Sequence, residues 1–379
     1  MSHRPQDKPF SHLLIPLILI LMVAIAGVSF RYYNYEHHPK SVDEILLPVS
    51  PQPSGLTSSS IGVGLVVANV YNFDAGKKTF DADGWIWITW SEEVEKQLKK
   101  RSMVPRELFF FYNGVSDYDF SLVPDTTSPL RLENGRYYQK YIYSGHFYVN
   151  DLNFRLYPFQ TIKLPIAFEL KPEVLLNDGT PLNLVLDHEH SGTGSYVEVS
   201  GYLSKGFTFT TYQHQYRNSH GEPGLTNDIR SLLQARFEVS YERVPMATVI
   251  RLILPLLFVM VILLMSPLIP STGWDVKLAI PPTVMLTLIF LQQSYQSSLP
   301  ELPYITFLDC LYNMCYMDCL LLFGLFLWGS MAYHFSSEED RQETMFRIHQ
   351  VDRRFLLLLV VLFPIEGIVN WYVVGFPWQ

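Results

Sequence analysis

The pattern of apolar and polar positions divides the chain in two. From Ile61 to about residue 242 short runs alternate, and from about residue 246 the apolar residues gather into long blocks. In IGVGLVVANVYNF and FDADGWIWITW the alternation has the period of a strand, whose successive side chains point to opposite faces. Trp85, Trp87 and Thr89 then share one face, and Ile86, Ile88 and Trp90 the other. A turn around Asp74-Ala75-Gly76 joins the two runs. The charged stretch 92–100, EEVEKQLKK, reads as helix or loop. More strand candidates follow at 107–113, 117–123, 136–149, 162–170, 183–188, 195–201, 206–216 and 233–242, separated by turn residues such as Asn134-Gly135. About ten short strands predict a single β-sandwich over 61–245.

Five apolar segments stand out, at 12–30, 246–270, 278–296, 303–333 and 354–375. The first follows Arg4 and Lys8 and contains Ala24-Ile25-Ala26, so residues 1–30 read as a signal peptide or an uncleaved N-terminal anchor. Residues 31–60, rich in Pro and Ser from 38 onward, read as a linker. The other four segments are long enough to be membrane helices, within a transmembrane domain covering 246–379. The expected fold is therefore an all-β extracellular sandwich of about ten strands followed by a four-helix transmembrane bundle. If the β region is outside, the linker 334–353 is cytoplasmic. Its Arg341, Arg347 and Arg353, with Arg354 at its edge, agree with that orientation. The outer loop 296–303 has no Lys or Arg.

The segment Asp275–Pro300 is not uniformly apolar. Steps of three and four residues connect Asp275, Ala279, Thr283, Leu286, Phe290, Gln293 and Ser297 along one helical face. A polar stripe in a membrane helix should face protein or water. Two readings follow: a stripe packed against sister helices of the same subunit, or the wall of a pore. Pro281-Pro282 near the start predict that the helix begins near Ala279 or is kinked there. Lys277 lies off the stripe and reads as snorkelling or paired.

Composition narrows the class. The chain has 379 residues, 48% hydrophobic and 17% charged, with a formal net charge of -8. Clustered apolar residues indicate an integral, multi-pass membrane protein in contact with lipid. The acidic balance excludes nucleic acid as the expected partner. Cys310, Cys315 and Cys319 share one apolar block, so the β region has neither a disulfide framework nor a cysteine metal site. G-x-S-x-G, phosphate-loop and H-E-x-x-H signatures do not occur. No cofactor and no enzymatic activity are expected.

At Asn153–Glu169, NFRLYPFQTIKLPIAFE, the chain resembles the loop that marks pentameric ligand-gated ion channels, the Cys-loop receptor superfamily. Arg155 and Tyr157-Pro158-Phe159 match its aromatic-Pro-Phe-Asp pattern, Gln160 replaces the Asp, and the absent flanking cysteines resemble the prokaryotic branch. FDADGWIWITW, Arg243, Pro255 and Ser298–Tyr304 agree in order and spacing. The resemblance covers about residues 60–379. It implies a homopentamer in a bacterial inner membrane, with a central pore lined by the second membrane helix. Asp275 would form an acidic ring at the cytoplasmic mouth, Thr283 a hydroxyl ring and Leu286 a hydrophobic gate. Phe290 and Gln293 would line the outer half. Permeant cations and a small-molecule agonist or protons are the implied partners. Arg155, Tyr157, Pro158, Phe159, Gln160, Arg243 and Pro300 would couple the agonist domain to the pore.

The family's agonist site lies between subunits, capped by a loop that 212–233 resembles. Candidate aromatic walls are Tyr212 and Tyr216 there, Tyr112 and Tyr118 in FYNGVSDYDF, and Trp85 or Trp87 on a facing strand. KPEVLLNDGT supplies no aromatic where the family has a Trp. Asp187-His188-Glu189-His190 reads as a solvated strand end that could alternatively hold a divalent ion or sense pH. Asp309, Asp318 and Glu366 fall in membrane segments, where acids are functional candidates, and Asp318 is assigned a gating role. Two other classes remain open: a non-conducting membrane sensor with a solute-binding β domain, and a membrane enzyme using Asp318 and Glu366.

Overall fold

The structure, a computed structural model, describes residues 44–49, 55–115, 120–150, 152–171, 182–216, 230–270 and 273–375. It divides into a β unit, 40–153 with 161–244, and a helical unit that joins the loop 154–160 to residues 245–379. The expected signal or anchor at 1–30, Tyr118 and the tip of the capping loop at 217–229 lie outside the described residues.

The β unit holds twelve strands among the described residues. They are β1 (Glu44–Pro48), β2 (Ser60–Asp74), β3 (Thr79–Trp90), β4 (Phe109–Phe111), β5 (Ser121–Pro124), β6 (Leu130–Arg131), β7 (Tyr137–Tyr148), β8 (Thr161–Leu170), β9 (Asn183–Leu186), β10 (Gly192–Tyr196), β11 (Tyr202–Tyr216) and β12 (Arg230–Arg243). One sheet runs β1-β11-β12-β8-β4. The other runs β10-β2-β3-β7-β5, with β6 on β7 and β9 on β2. Both contribute to one core, in which Ile86, Ile88 and Trp90 of β3 meet Phe168, Phe237 and Tyr241. The alternation in 80–90 therefore reports sidedness correctly. The count exceeds ten because β1 falls inside the expected linker 31–60, and because strands as short as β6 have too few residues to show a period. The expected strand 195–201 is replaced by β10, which pairs parallel with β2. The stretch 92–100 is helical: α1 (Glu92–Arg101) is capped by Ser91, has Glu92, Glu93 and Glu95 in its first turn, and ends on Lys99, Lys100 and Arg101. That order matches the helix dipole at both ends.

Four helices of the other unit are long and apolar enough to cross a membrane: α2 (Met246–Leu268), α3 (Trp274–Gln296), α4 (Phe307–His334) and α5 (Arg341–Tyr372). In α2 a π-helical segment, Val249–Ile253, precedes Pro255, the residue that cannot donate to the carbonyl four positions back. α3 starts at Trp274, earlier than the expected 278, and runs unbroken past Pro281 and Pro282. Only the carbonyls of Lys277 and Leu278 lose their usual donors, one turn from the helix start. α4 opens on a capping box, with Thr306 as cap and Asp309 returning to the Thr306 backbone. The final helix extends to Gly375 and begins at Arg341, well before the expected 354, so most of the linker 334–353 is helical. At 1.5 Å per residue its 35 residues reach about 52 Å, against a hydrocarbon core of about 30 Å. The charged half, 341–354, is what extends beyond the apolar stretch.

Candidate functional site

α3 presents two different faces. Lys277, Pro281, Val284, Leu288 and Tyr295 are buried inside the subunit. Asp275, Ala279, Thr283, Leu286, Phe290, Gln293 and Ser297 are all exposed, with Leu286 at 54% and Phe290 at 62%. The spacing of the first set is the ordinary one for a helix packed on its neighbours. The second set is the stripe read from the sequence. At one end Asp275, Ala279 and Thr283 line a pocket together with Ile262 of α2. Along the stripe, the Thr283 hydroxyl donates to the Ala279 carbonyl at 2.7 Å, and the Thr287 hydroxyl to the Thr283 carbonyl at 3.0 Å. These bonds satisfy the hydroxyl donors within the helix while leaving their oxygens open to water.

At the start of α3, Lys277 is fully buried and paired with Asp352 of α5, Nζ to Oδ2 at 2.6 Å. The ammonium also lies 5.5 Å from the Trp274 ring centre and 5.4 Å from that of Phe326. The lysine is thus paired rather than snorkelling.

At the other end, the loop 154–160 packs within the helical unit. The Tyr157 ring stacks on Tyr295 of α3 at 6.0 Å, and Tyr295 stacks on Tyr312 of α4 at 5.4 Å. The Tyr295 hydroxyl donates to Asp309, which also accepts from the Thr306 amide at 3.0 Å and the Gln296 amide group at 3.1 Å. The Tyr157 hydroxyl is 3.4 Å from that of Ser298. Arg155 lies over the Tyr304 ring, and its carbonyl accepts from the Phe307 amide at 2.7 Å. Phe159 meets Trp371 of α5 edge-on. Tyr157–Pro158 is a cis peptide, Gln160 is buried, and Pro300 is half-buried in the segment between α3 and α4. The sequence motif and the segment after α3 therefore meet, through residues the motif itself named. Asp309, read as an acid of a membrane segment or of its outer interface, completes the capping box of α4 and is a hub for Tyr295. Arg243 closes β12 in the other unit, with its guanidinium 5.3 Å from the Tyr202 ring centre.

The candidate agonist aromatics separate into two groups. Trp85 and Trp87 lie on the seven-stranded sheet, facing away from its core. Trp87 lies flat over Gly64, where a Cβ would sit 2.1 Å from the indole, and its Nε1 donates to Asp187 at 3.1 Å. Trp85 is more open and has Lys140 over its ring at 5.3 Å. Tyr112, Tyr212 and Tyr216 belong to the five-stranded sheet side. Tyr216 is buried, and its hydroxyl donates to Glu169 at 2.8 Å. Glu169 is fully buried, takes Gln234 at 2.8 Å and pairs with His214 at 2.5 Å. Tyr112 meets the His214 ring edge-on at 4.8 Å. Tyr216 is thus engaged with a buried carboxylate and cannot serve as an open wall without rearrangement. Tyr212 is half-buried.

Asp187 closes the turn 187–190, accepting from the His190 amide at 3.2 Å and meeting its Nδ1 at 2.9 Å. The side-chain hydrogen bond to Asp187 raises the His190 pKa above its ordinary value. Burial works against the Asp187 carboxylate, but hydrogen bonds from His190 and Trp87 hold its pKa low. The stretch is a capped turn. Among the described residues no group of three or more His, Cys, Asp or Glu is arranged to hold a metal ion. Asp318 of α4 is buried, and neither its Oδ2 nor Oε2 of Glu366 on α5 has a hydrogen-bond partner among the described residues. Nothing in these contacts ties Asp318 to the stripe on α3.

Sequence reasoning missed the Glu169 cluster, and it read Lys277 as snorkelling or paired without naming Asp352 as the partner. For Lys277 a signal existed: a lysine in an apolar helix is seldom buried without a partner. For Glu169 there was none, because one acid in a strand looks like any exposed position. The sequence matches no protein-family model and no curated protein.

Proposed function

We propose that this chain is a subunit of a ligand-gated, cation-selective ion channel of the prokaryotic pentameric type. It would act as a homopentamer in a bacterial inner membrane, with the β unit, read as a sandwich, outside. The observation that carries the reading is the uncovered stripe on α3. An acid, a small residue, a hydroxyl, two large apolar residues, an amide and a hydroxyl stand in line, and each is exposed in the single subunit. Lipid is a poor cover for Asp275 and Gln293, so a shared aqueous axis is the cover that satisfies them.

Each residue then has a physical role. Five Asp275 carboxylates at the inner mouth concentrate cations and repel anions. Thr283 offers hydroxyl oxygens to a passing ion. Five Leu286 side chains close the path by excluding water, and opening requires them to rotate or withdraw from the axis. The loop 154–160 bears on Tyr295 and Ser298 at the outer end of α3, which makes it the lever in this reading. Arg243, at the junction of β12 with α2, is the second coupling residue. A small-molecule agonist or protons would favour the open arrangement by binding it better than the closed one. Trp85 is exposed and Trp87, Tyr112 and Tyr212 are half-buried, so these four are better placed for an agonist than the buried Tyr216.

The test is current through planar bilayers containing the purified, full-length protein while pH and a panel of small amines are stepped. Leu286→Ala should raise resting current or agonist sensitivity, and reversal potentials should favour K⁺ over Cl⁻. A silent protein under every condition, despite verified pentamers, would favour a non-conducting sensor instead.

A further inference from the structure

We infer that Asp352 determines ion specificity, by holding the Lys277 ammonium inside the helical unit so that the Asp275 carboxylates stand unopposed at the inner end of α3. The inference rests on the channel reading and extends it to a residue of α5 that lies off the pore face. Asp275 and Lys277 are two positions apart, and at about 100° per residue they point about 200° apart around the helix. Asp275 is exposed on the stripe, whereas Lys277 is 0% exposed and 2.6 Å from Asp352.

The arrangement around the pair is built rather than incidental. Trp274 and Phe326 flank the ammonium. Trp274 is seated against Gly329 of α4, where a Cβ would lie 2.8 Å from the indole ring. Among the other ionisable groups, His349 is close enough on α5 to act on Asp352, while Arg353 and Arg354 are exposed. Without the Asp352 carboxylate the ammonium keeps only the two rings beside it, with no opposite charge, and must lose its proton or reach water. Its four-carbon stem allows it to reach out, one turn from the helix start. There it would add a positive charge beside each Asp275. Per subunit the charges at this end are then −1 for Asp275 and +1 for a released Lys277, in place of −1 with a self-cancelling pair.

The experiment is the K⁺/Cl⁻ permeability ratio of full-length protein in planar bilayers under a KCl gradient. It compares wild type, Asp352→Asn, Lys277→Gln and the double variant Lys277→Gln/Asp352→Asn. Asp352→Asn should lower the ratio by about tenfold, the low end of what charged, low-dielectric clefts do to local ion concentration. Lys277→Gln should keep or raise the ratio, and the double variant should restore it to the wild-type value. An unchanged ratio in Asp352→Asn overturns the inference, as does a double variant as unselective as the single one. If Asp352→Asn does not assemble, a fall in the ratio of Lys277→Gln overturns it equally. A purely structural role would change assembly or current size and leave the ratio alone. If wild type itself does not conduct, the channel reading fails and this inference with it. If wild type conducts and the ratios do not move, only the inference fails.

Discussion

Removing the Glu169 carboxylate should strongly destabilise the β unit. This side chain is fully buried, and three neighbours on two other strands point donors at it: Tyr216, Gln234 and His214. Glu169→Ala leaves those groups without their common acceptor in a place water does not reach. Hydrogen bonds to a charged partner are each worth about 1.5–3 kcal/mol, and deleting one side of a buried pair typically costs about 3–5 kcal/mol. The three bonds share one acceptor, so they do not simply add, and the lower range of about 3–5 kcal/mol is expected for the loss of the whole site. For a unit of this size each kcal/mol lowers the melting temperature by about 2–4 °C, giving a fall of about 6–20 °C. Tyr216→Phe removes one donor and leaves the carboxylate its other two partners. It should cost less, about 1–3 kcal/mol. The double variant should lose less than the sum of the two, because the Tyr216 bond is already gone once Glu169 is absent. Thermal unfolding of the full-length protein in detergent, followed by the circular-dichroism signal of β structure, reads all three. A Glu169→Ala melting point within about 2 °C of wild type would refute the argument, since even one charged hydrogen bond predicts more. Full additivity in the double variant would refute the shared-acceptor part of it.

Other outcomes follow from the same contacts. Tyr295→Phe keeps the stack on Tyr157 and Tyr312 but removes the bond to Asp309, so in the channel reading it should shift agonist sensitivity by about fivefold or more at unchanged pentamer yield. Dose–response curves that superimpose on wild type would rule this out. Gly329→Ala forces a Cβ to within 2.8 Å of the Trp274 ring and 3.3 Å of Ile348, and overpacking of this kind costs about 1–3 kcal/mol, readable as a lower melting point in detergent. The Asp187–His190 pair should be pH-dependent at both ends. The raised His190 pKa means its contribution is complete below the unfolded value near 6.5 and fades as pH rises through the folded one. The lowered Asp187 pKa means its contribution holds above the unfolded value near 3.9 and fades as pH falls through the folded one. Ring-carbon NMR should therefore find His190 titrating above about 6.5, and Asp187→Asn should bring it back toward that value.

What the sequence discloses here depends on whether a residue's role repeats along the chain. The sidedness of β3 was legible because eleven consecutive residues, Phe80–Trp90, carry the same two-residue rhythm, and the buried set Ile86, Ile88, Trp90 obeys it. The α3 stripe was legible for the same reason at helical spacing. β1 and β6 were not, since five and two residues offer no period to detect. The start of the last helix was misplaced because residues 341–353 are mostly polar and charged, with only Met345, Phe346, Ile348 and Val351 apolar. A charged stretch is helical here because an apolar helix follows it without a break, and the pattern of hydrophobicity measures burial rather than helicity. Tyr216 shows the opposite failure. Its type and its place before a long loop suggest a binding wall, yet its partner Glu169 lies 47 positions away, and no local pattern reports that the two meet.

The two ends of α3 make the same point about function. Asp275 and Lys277 are neighbours in sequence with opposite charges, and on composition alone they cancel. They do not cancel in the fold, because one faces out and the other is enclosed with Asp352, 75 positions away. At the far end, Tyr295 and Gln293 are also two positions apart, one buried between Tyr157 and Tyr312, the other exposed on the stripe. In each case one residue faces the uncovered side and its near neighbour ties the helix to the rest of the unit. A helix held this way at both ends can move its exposed face only by disturbing the contacts of its buried one. If α3 lines a pore, then gating and selectivity should both be sensitive to residues that never touch an ion. Tyr295 and Asp352 are the places where that sensitivity should be greatest, since each is joined to α3 by polar contacts that a small displacement would break.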